Sequence, residues 1–318
     1  MNKLIILIIL IFISGCSQFN QYTIIEKELS PKNILVFAAH QDDETICAGG
    51  RMIQSKLNNK DVNVVILTDG SPKEFRENGI IASIRNNETI NALNKINISQ
   101  ENIIFLNNDD LGFIFDSNDK ELINKIKEII EEKNPDEIYI PAYEGGHIDH
   151  DSTHILVLSA LKKINKKFKI YECIEYNSYN WGSPIPDNED IIDNEKNPVM
   201  ELTMNENEIN LKKEMLKSYI SQKPNFNKNI IGYKSKITEF DYYIQDKKNK
   251  VIGNRIKNCE EDYLVCAYYW NDLLRELPSY DYNKRPHPPK LLYEKQCDYD
   301  KRFSCFNFND FKDKINDI

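Results

Sequence analysis

The chain has 318 residues, 41% of them hydrophobic and 29% charged, and its formal net charge is -9 at pH 7. This length is enough to bury a substantial core and suits one large domain or slightly more. The acidic balance argues against a nucleic-acid-binding protein, which requires a basic surface. The sequence shows neither an internal repeat nor a long low-complexity tract, so its composition is that of an ordinary folded protein.

Residues 1–16 have the pattern of an export signal. A short basic start at Lys3 precedes a continuous apolar run of ten residues, 4–13, which is too short to span a bilayer as a helix. The sequence ISGC that ends at Cys16 resembles the processing site of bacterial lipoproteins, which implies cleavage before Cys16 and lipidation of that residue. We therefore expect an extracytoplasmic, membrane-anchored bacterial lipoprotein with a tether over residues 17–30. An ordinary secretory signal with an incidental cysteine remains the alternative.

From residue 31 onward, short apolar runs alternate with stretches of helical periodicity. The predicted strands are 34–37, 62–68, 102–106, 137–140, 168–176 and 200–203. The predicted helices are 45–57, 80–96, 119–132, 152–163 and one opened by a capping box at Thr203-x-x-Glu206 that runs to Tyr219. This alternation predicts an α/β fold over residues 31–222, with a doubly wound, Rossmann-like and mostly parallel sheet that has helices on both faces.

The pattern becomes less regular after residue 176. Residues 177–198 are rich in Pro, Asn and Asp and are predicted to form a long loop over the site. Residues 223–318 are predicted to form an irregular C-terminal extension packed on the α/β domain.

Export would place the cysteines in an oxidising compartment. The preferred pairing is local, Cys259 with Cys266 and Cys297 with Cys305, and other pairings remain open. Cys47 and Cys173 are expected to be buried thiols, and a role for them as zinc ligands is disfavoured because their spacing to the histidines is not that of ligands.

Two polar clusters follow predicted strands. His40, Asp42, Asp43 and Glu44 come directly after the first strand, and the sequence GGHIDH ends at His150 after strand 137–140. Open α/β sheets bind ligands at the carboxyl ends of their strands, and so many carboxylates on one turn are unfavourable without a cation. The first cluster alone is also compatible with a helix N-terminal cap. A single metal site explains both clusters, because four of the five histidines lie in or next to these loops.

The same motifs resemble the LmbE-like, or PIG-L, family of zinc-dependent N-acetylglucosaminyl de-N-acetylases. The resemblance covers roughly residues 33–222. Its further matches are Thr68-Asp69-Gly70, Arg85-x-x-Glu88, Asp109-Asp110 and the helix from Lys212 to Ser221-Gln222. One departure is Gln41, where the family usually has proline; every chemical group stays in place, so the departure concerns the rigidity of the loop.

The resemblance makes residues 31–222 the catalytic domain and implies a Zn²⁺ site. Its ligands are His40, Asp43 and His150, two imidazoles and a carboxylate that leave a fourth position for water. Another divalent metal is possible, because affinity order and availability both contribute.

Three further residues are predicted to be catalytic. Asp42 cannot easily share a metal with Asp43 because adjacent side chains diverge, so it is expected to act as the general base toward water. A protonated His147 is expected to stabilise the oxyanion. Asp149 is expected to orient the ring of His147 and keep it charged. The proton for the leaving amine comes from Asp42 or His147, and the sequence does not choose between them.

Arg85 and Asp110 are predicted to bind substrate. By resemblance, Arg85 contacts a sugar hydroxyl or phosphate and Asp110 contacts the sugar. The alternative for Arg85 and Glu88 is a surface ion pair at i, i+3 spacing. His154 is expected to lie on the helix surface or to support the site from behind, and His287 is expected to be structural or exposed.

These interpretations predict a metal-dependent amidohydrolase that removes acetyl from an N-acetylglucosamine-type glycoside, a linear amide. Its partners would be the N-acetylated amino sugar and, through Cys16, a membrane, with no nucleic acid. One alternative is a non-catalytic glycan-binding lipoprotein on the cell surface, which would bind the acetylated glycan without releasing acetate. The other is a hydrolase of a different small amide with the same site.

Overall fold

Strand and helix segments alternate along the part of the chain that the computed structural model describes, residues 24–71, 76, 79–110, 119–142, 147–173, 199–222 and 272–277. The strands are β1 Ile24–Lys27, β2 Ile34–Ala38, β3 Val62–Thr68, β4 Ile103–Asn108, β5 Glu137–Pro141, β6 Lys169–Cys173, β7 Val199–Leu202 and β8 Leu273–Glu276. The helices are α1 Asp43–Leu57, α2 Ile80–Asn94, α3 Asp119–Lys133, α4 Ile148–Lys162 and α5 Glu206–Leu216, with 3-10 turns at Gln100–Asn102 and Ile220–Gln222. None of the described helices is both long and apolar enough to cross a membrane.

All eight strands join one sheet in the order β1-β7-β8-β6-β5-β2-β3-β4. Every pairing is parallel except those of β8, which runs antiparallel to β6 and β7. The chain proceeds from β2 through β3 to β4 on one side and then returns to place β5 on the other side of β2. This reversal makes the carboxyl ends of β2 and β5 a topological switch point, where α/β proteins bind ligands. The predicted α/β fold is confirmed.

Strand β2 lies in a sheet that is covered by helices on both faces, so the fold has three layers. Its residues are apolar on both faces, as expected for a strand covered on both sides. Ile34, Val36 and Ala38 pack into one core with residues of α1, α2 and α5. Leu35 and Phe37 pack into the other core with residues of α3 and α4. Period-two alternation therefore divides one strand between two cores.

Helices α1 and α4 begin earlier than predicted. The first helical hydrogen bonds of α1 run from the N–H groups of Thr45 and Ile46 to the carbonyl of Asp42, so α1 begins at Asp43. In α4 the ring of His147 accepts from the N–H of Asp149, which starts the helix at Ile148. Both early starts move predicted metal ligands, Asp43 and His150, into a first helical turn.

The capping box of α5 lies two residues later than predicted. The side chain of Asn205 accepts from the N–H of Glu208, and the carboxylate of Glu208 accepts from the N–H of Asn205. The prediction of Thr203 with Glu206 was wrong, because two overlapping sequences satisfy the same spacing and asparagine is the stronger cap.

Two outer strands arise from segments predicted to be irregular. Ile24–Lys27 lies in the predicted tether and pairs with β7 instead, and Leu273–Glu276 lies in the predicted C-terminal extension and is inserted between β6 and β7. Both segments are only four residues long, so backbone pairing with distant strands, rather than a local pattern, determines their structure.

The prediction of buried thiols at Cys47 and Cys173 was wrong. The two residues form a disulfide with a Cα–Cα distance of 5.2 Å between α1 and the end of β6. Both are buried, as predicted, but they lie 126 residues apart, and nothing in the sequence shows that α1 faces β6. Cys16, the four cysteines from 259 to 305, His287 and the loop 177–198 lie outside the described residues.

Candidate metal centre and catalytic site

The two predicted clusters meet at the carboxyl end of the sheet. His40 follows β2, and His150 lies in the first turn of α4, which follows β5. One oxygen of Asp43, Oδ2, lies 3.1 Å from Nδ1 of His40 and 3.1 Å from Nε2 of His150. The three predicted metal ligands are therefore brought together by two separate strand–helix junctions, and all three are buried.

Asp43 is held in its ionised form. Burial alone would raise the pKa of its carboxyl, but His150 and His40 outweigh burial and bring this pKa well below its usual range. The backbone N–H of His40 also donates to Asp43 Oδ2 over 2.7 Å. A carboxylate that stays charged inside the protein is a suitable ligand for a divalent metal.

The other ring nitrogen of His40 faces two further acids. His40 Nε2 lies 2.9 Å from Asp110 Oδ1 and 3.1 Å from Asp149 Oδ2. Burial lowers the pKa of His40, but these carboxylates and Asp43 raise it well above its usual value. A ring held between carboxylates has a fixed orientation, which is what a metal-ligating histidine requires from the residues behind it.

This arrangement differs from the predicted roles of Asp149 and Asp110. Asp149 Oδ2 is 3.9 Å from Nδ1 of His147, the ring it was expected to orient, and is closer to His40. Asp110 follows β4, two strands away from β2, yet its carboxylate reaches the same cluster. Its contact with a sugar stays a prediction, and its contact with His40 is an addition that sequence spacing gave no sign of.

The donor set fits a divalent transition metal. Ligand atoms of His40, His147 and His150 lie within 4.8 Å of one another, and those of His40, Asp110 and Asp149 do the same. Imidazole and carboxylate donors that converge in a buried site are the ligands zinc takes in hydrolases. The residues present are therefore suited to the predicted metal.

Asp42 has a strained backbone and an accessible carboxylate. Its φ of 113° is uncommon for a residue other than glycine, and such strain is concentrated at functional sites. Its side chain makes no capping hydrogen bond to α1 and is 18% exposed, unlike the buried Asp43 beside it. Burial and the neighbouring Asp43 raise the pKa of Asp42 well above its usual value. These properties suit a general base and argue against a simple helix cap.

The surroundings of His147 favour its neutral form. Its Nδ1 accepts a hydrogen bond from the N–H of Asp149 over 3.3 Å, which puts the proton of the neutral ring on Nε2. Burial, with the nearby charges of His40 and His150, lowers the pKa of His147 well below its usual value. These surroundings favour a neutral ring where a charged one was expected, since Asp149 lies closer to His40, and the charge of His147 stays a prediction. A neutral imidazole can still donate to an oxyanion through its remaining N–H.

Arg85 forms hydrogen bonds to the two loops that flank the site, those after β2 and β3. Its guanidinium donates to the carbonyls of Gln41 and Gly70, each over 3.0 Å, and lies 3.8 Å from Asp42 Oδ1. Glu88 does not form a surface pair with Arg85; it accepts from the N–H and hydroxyl of Ser221 over 2.7 and 2.6 Å. The predicted contact of Arg85 with substrate stays a prediction.

Two more buried groups support the site from behind. Glu44 accepts hydrogen bonds from the hydroxyls of Thr45 and Tyr219, and burial raises its pKa to about 7. The ring of His154 is buried, with Nδ1 3.0 Å from the carbonyl of Pro141 and 3.4 Å from Glu172, so it does not lie on the helix surface, and its support of the site stays a prediction.

Several solved structures share this fold. A triple mutant of the deacetylase Orf2 from the teicoplanin biosynthetic pathway has a TM-score of 0.52 at 17% identity, covering 78% of this chain and 99% of that chain. The A40926 pseudoaglycone deacetylase Dbv21 has a TM-score of 0.50 at 15% identity, covering 77% of this chain and 97% of that chain. GalB, the 4-carboxy-2-hydroxymuconate hydratase from Pseudomonas putida KT2440, has a TM-score of 0.49 at 14% identity, covering 78% of this chain and 97% of that chain. At these identities the likeness to the two deacetylases shows the fold.

Sequence comparison finds one family match. No curated protein matches the chain. Residues 35–161 match the family described as PIG-L, GlcNAc-PI de-N-acetylase, a stretch that runs from β2 to α4 and includes both metal-site loops. The matched family is the LmbE-like family that the two motifs resemble, and the match covers residues 35–161 of the chain.

Proposed function

We propose that the protein is a zinc-dependent hydrolase that removes the acetyl group from an N-acetylglucosamine-type glycoside. The observation that carries the proposal is the contact of one ionised oxygen, Asp43 Oδ2, with both His40 and His150, next to the accessible carboxylate of Asp42. The PIG-L family match over the same loops supports the substrate class.

His40, Asp43 and His150 would hold the metal. Bound there, zinc supplies Lewis acidity, which activates water and polarises an amide carbonyl. The carboxylates of Asp110 and Asp149 lie 2.9 and 3.1 Å from His40 Nε2 and would keep its ring in the orientation that ligation requires.

Asp42 would act as the general base. It takes one proton from the water that attacks the acetamide carbonyl, and its raised pKa brings its basicity closer to neutral pH, where a general base is most effective. When the C–N bond of the amide breaks, protonated Asp42 returns that proton to the leaving amine. Water and amide are thereby converted to acetate and the free amino sugar with no net change at Asp42.

His147 would stabilise the oxyanion as a neutral donor. Its ring lies edge-on to that of His40, with the centroids 4.7 Å apart, so it faces the same cluster. Because Nδ1 accepts from the α4 backbone, the proton on Nε2 is the one that remains for the developing charge. One such donor typically contributes about 3 kcal/mol to transition-state stabilisation.

We also propose that the protein is exported and anchored by a lipidated Cys16. The basic start, apolar run and ISGC sequence support this proposal. The Cys47–Cys173 disulfide supports it independently, because such bonds persist in oxidising compartments. Substituting Cys16→Ser should abolish incorporation of labelled lipid, and unchanged labelling would contradict the anchor.

The test of the activity is acetate release by the full-length chain from a panel of N-acetylglucosamine glycosides. Release should stop on chelation, return when zinc is added, and be accompanied by about one zinc per chain. Metal binding without release from any glycoside would contradict the proposal and favour a glycan-binding protein or a hydrolase of another amide. Failure to bind any divalent metal would overturn the site itself.

A further inference from the structure

Gln41 is completely buried inside the loop that carries the candidate base. Its side-chain amide donates to Asn86 Oδ1 over 2.7 Å and approaches the carbonyls of Thr68 and Asp69 at 3.4 and 3.3 Å. A fully buried glutamine that directs its N–H groups at three acceptors has one possible orientation. The side chain of Gln41 therefore fixes the conformation of the loop and does more than fill space.

The backbone of Gln41 is held from the same helix as its side chain. Arg85 on α2 donates to the Gln41 carbonyl over 3.0 Å, and Asn86, the next residue of α2, accepts from the Gln41 amide. Two consecutive residues of α2 therefore hold Gln41. Asn86 binds its side chain, and Arg85 binds its carbonyl group, which belongs to the peptide that joins Gln41 to Asp42. We call this set of contacts, made by Gln41, Arg85 and Asn86, the α2 latch.

Gly70 leaves room for the α2 latch. A Cβ atom at this position would lie 2.3 Å from Gln41 Oε1 and 2.8 Å from the guanidinium carbon of Arg85. Its φ of 63° is also one that glycine adopts without strain. The backbone after β3 therefore approaches the latch more closely than any residue with a side chain would permit.

The latch explains how Asp42 keeps an unfavourable backbone. A non-glycine residue at φ 113° costs free energy and persists only where its surroundings determine it. On one side Asp42 is followed by α1, whose first hydrogen bonds it accepts, and on the other side it is preceded by the latched Gln41. If the latch is released, the strained peptide can relax, and Asp42 and the adjacent ligands His40 and Asp43 move with it.

We propose that Gln41 is a positioning residue, whose hydrogen bond to Asn86 fixes the general base and the first two metal ligands. The role in catalysis rests on the proposed hydrolase activity, and the role in metal binding rests only on the proposed metal site. In this chain the side-chain hydrogen bond of Gln41 restricts the backbone of the loop.

The decisive variant is Asn86→Ala in the full-length chain. Asn86 is half-buried on α2, so its truncation removes the 2.7 Å acceptor without opening the core. We expect zinc to bind about 10-fold more weakly, measured by competition with a chromogenic chelator, and kcat for acetate release to fall about 10-fold with KM changed less than about 2-fold. The matched control is Asn87→Ala, which changes an exposed asparagine one position along α2 and should leave all three values unchanged.

Rescue by a conservative variant separates positioning from general support of the fold. Asn86→Asp keeps an oxygen acceptor for the Gln41 amide and should return zinc affinity and kcat to within about 3-fold of the natural chain. Gln41→Glu has the same shape but presents oxygens to the acceptors, and should weaken zinc binding more than Asn86→Ala does. A purely structural role would lower the melting temperature of Asn86→Ala and leave its zinc affinity and kcat unchanged, and that result would overturn the proposal.

Zinc affinity keeps this inference distinct from the proposed function. If the natural chain binds zinc but releases no acetate, the proposed activity fails, while weaker zinc binding by Asn86→Ala still supports the latch. If the natural chain is active and Asn86→Ala is indistinguishable from it, only the latch fails. A natural chain that binds no zinc would overturn both.

Discussion

Buried charged side chains are arranged differently at the central strands and at the outer strands of the sheet. The central strands β2 and β5 end in a cluster where Asp43 and Asp42, two adjacent acids, have pKa values shifted in opposite directions. In the outer part, two buried pairs join opposite charges: Lys212 binds Asp272 over 2.6 Å, and Arg275 binds Glu172 over 2.6 Å. The carboxyl ends of the central strands hold adjacent acids, whereas these two outer pairs join opposite charges.

This difference indicates that the central site lowers the stability of the fold in favour of metal binding and catalysis. Clustered carboxylates and a strained φ at Asp42 lower the stability of the free protein but prepare it for a cation and a base. The ion pairs of β8 do the reverse, because they join distant segments and take no part in the site. Variants in the centre should therefore change activity with little effect on stability, and variants in the periphery should do the opposite.

The largest expected effect is that of Asp42→Asn on activity. Loss of the base should reduce kcat by about 10³-fold, or about 4 kcal/mol, while zinc content stays at the level of the natural chain. The melting temperature should not fall, because the amide removes repulsion from Asp43 and asparagine tolerates a positive φ. Acetate release and thermal unfolding measure both. The control is Asp61→Asn on an exposed loop, and turnover of Asp42→Asn at the level of this control would contradict the mechanism.

The next largest effect is that of Asp272→Ala on stability. Asp272 accepts from Lys212 and from the N–H groups of Gly50 and Arg51, so its removal leaves an uncompensated ammonium whose side chain is only 2% exposed. The free energy of unfolding in urea should drop by about 3–5 kcal/mol. The kcat of the remaining folded protein should be preserved.

The control for Asp272→Ala is Glu214→Ala, on the same helix as Lys212. Glu214 pairs with Lys217 at the surface, where its side chain is 53% exposed, and surface pairs contribute little. We expect Glu214→Ala to unfold at the same urea concentration as the natural chain. If the two variants were equally stable, β8 would not be held by its charges, and the distinction between centre and periphery would be lost.

The same division separates what the sequence predicts from what it does not. The strand before His40 and the strand before His147 are apolar runs, so their ends could be located, and parallel strands bring their ends together. β8 and the approach of Asp110 to His40 depend on contacts between segments far apart in the chain. No local periodicity encodes them, since four residues in a strand give too short a pattern.

Charge states were predicted less well than positions. His147 was located correctly, but its protonation depends on which neighbour Asp149 binds, and Asp149 lies 3.1 Å from His40 and 3.9 Å from His147. Such a difference arises from the packing of side chains from two loops. Residue order alone gives the composition of a cluster but not the pairing inside it.

The Cys47–Cys173 disulfide joins the two regions, because α1 follows the metal loop and β6 borders β8. Reducing it should lower the free energy of unfolding by about 3 kcal/mol, since the bond closes a long segment of chain. The double variant Cys47→Ala, Cys173→Ala should be equally destabilised without reductant and should not respond to it. Urea unfolding with and without reductant measures this, and a reductant effect that persists in the double variant would assign the stabilisation to other cysteines.

The smallest expected effect is the pH response of Glu88, which lies between the two regions, where α2 meets the 3-10 turn at Ser221. Burial raises the pKa of Glu88 above 4.5, while hydrogen bonds from Ser221 oppose the rise. Because the folded state then holds this proton more tightly than the unfolded chain, Glu88 makes stability fall as pH rises from about 4.5 through its folded pKa.

Glu88→Gln should reduce this fall, since glutamine does not titrate and still accepts from the Ser221 N–H. Ser221→Ala should extend the fall to higher pH, because it removes one of the hydrogen bonds that stabilise the carboxylate. Urea unfolding of the metal-free chain between pH 4 and pH 8 gives the three profiles. If the profiles of Glu88→Gln and the natural chain are parallel, the pKa of Glu88 is the same in the folded and unfolded states, and burial does not hold back its charge.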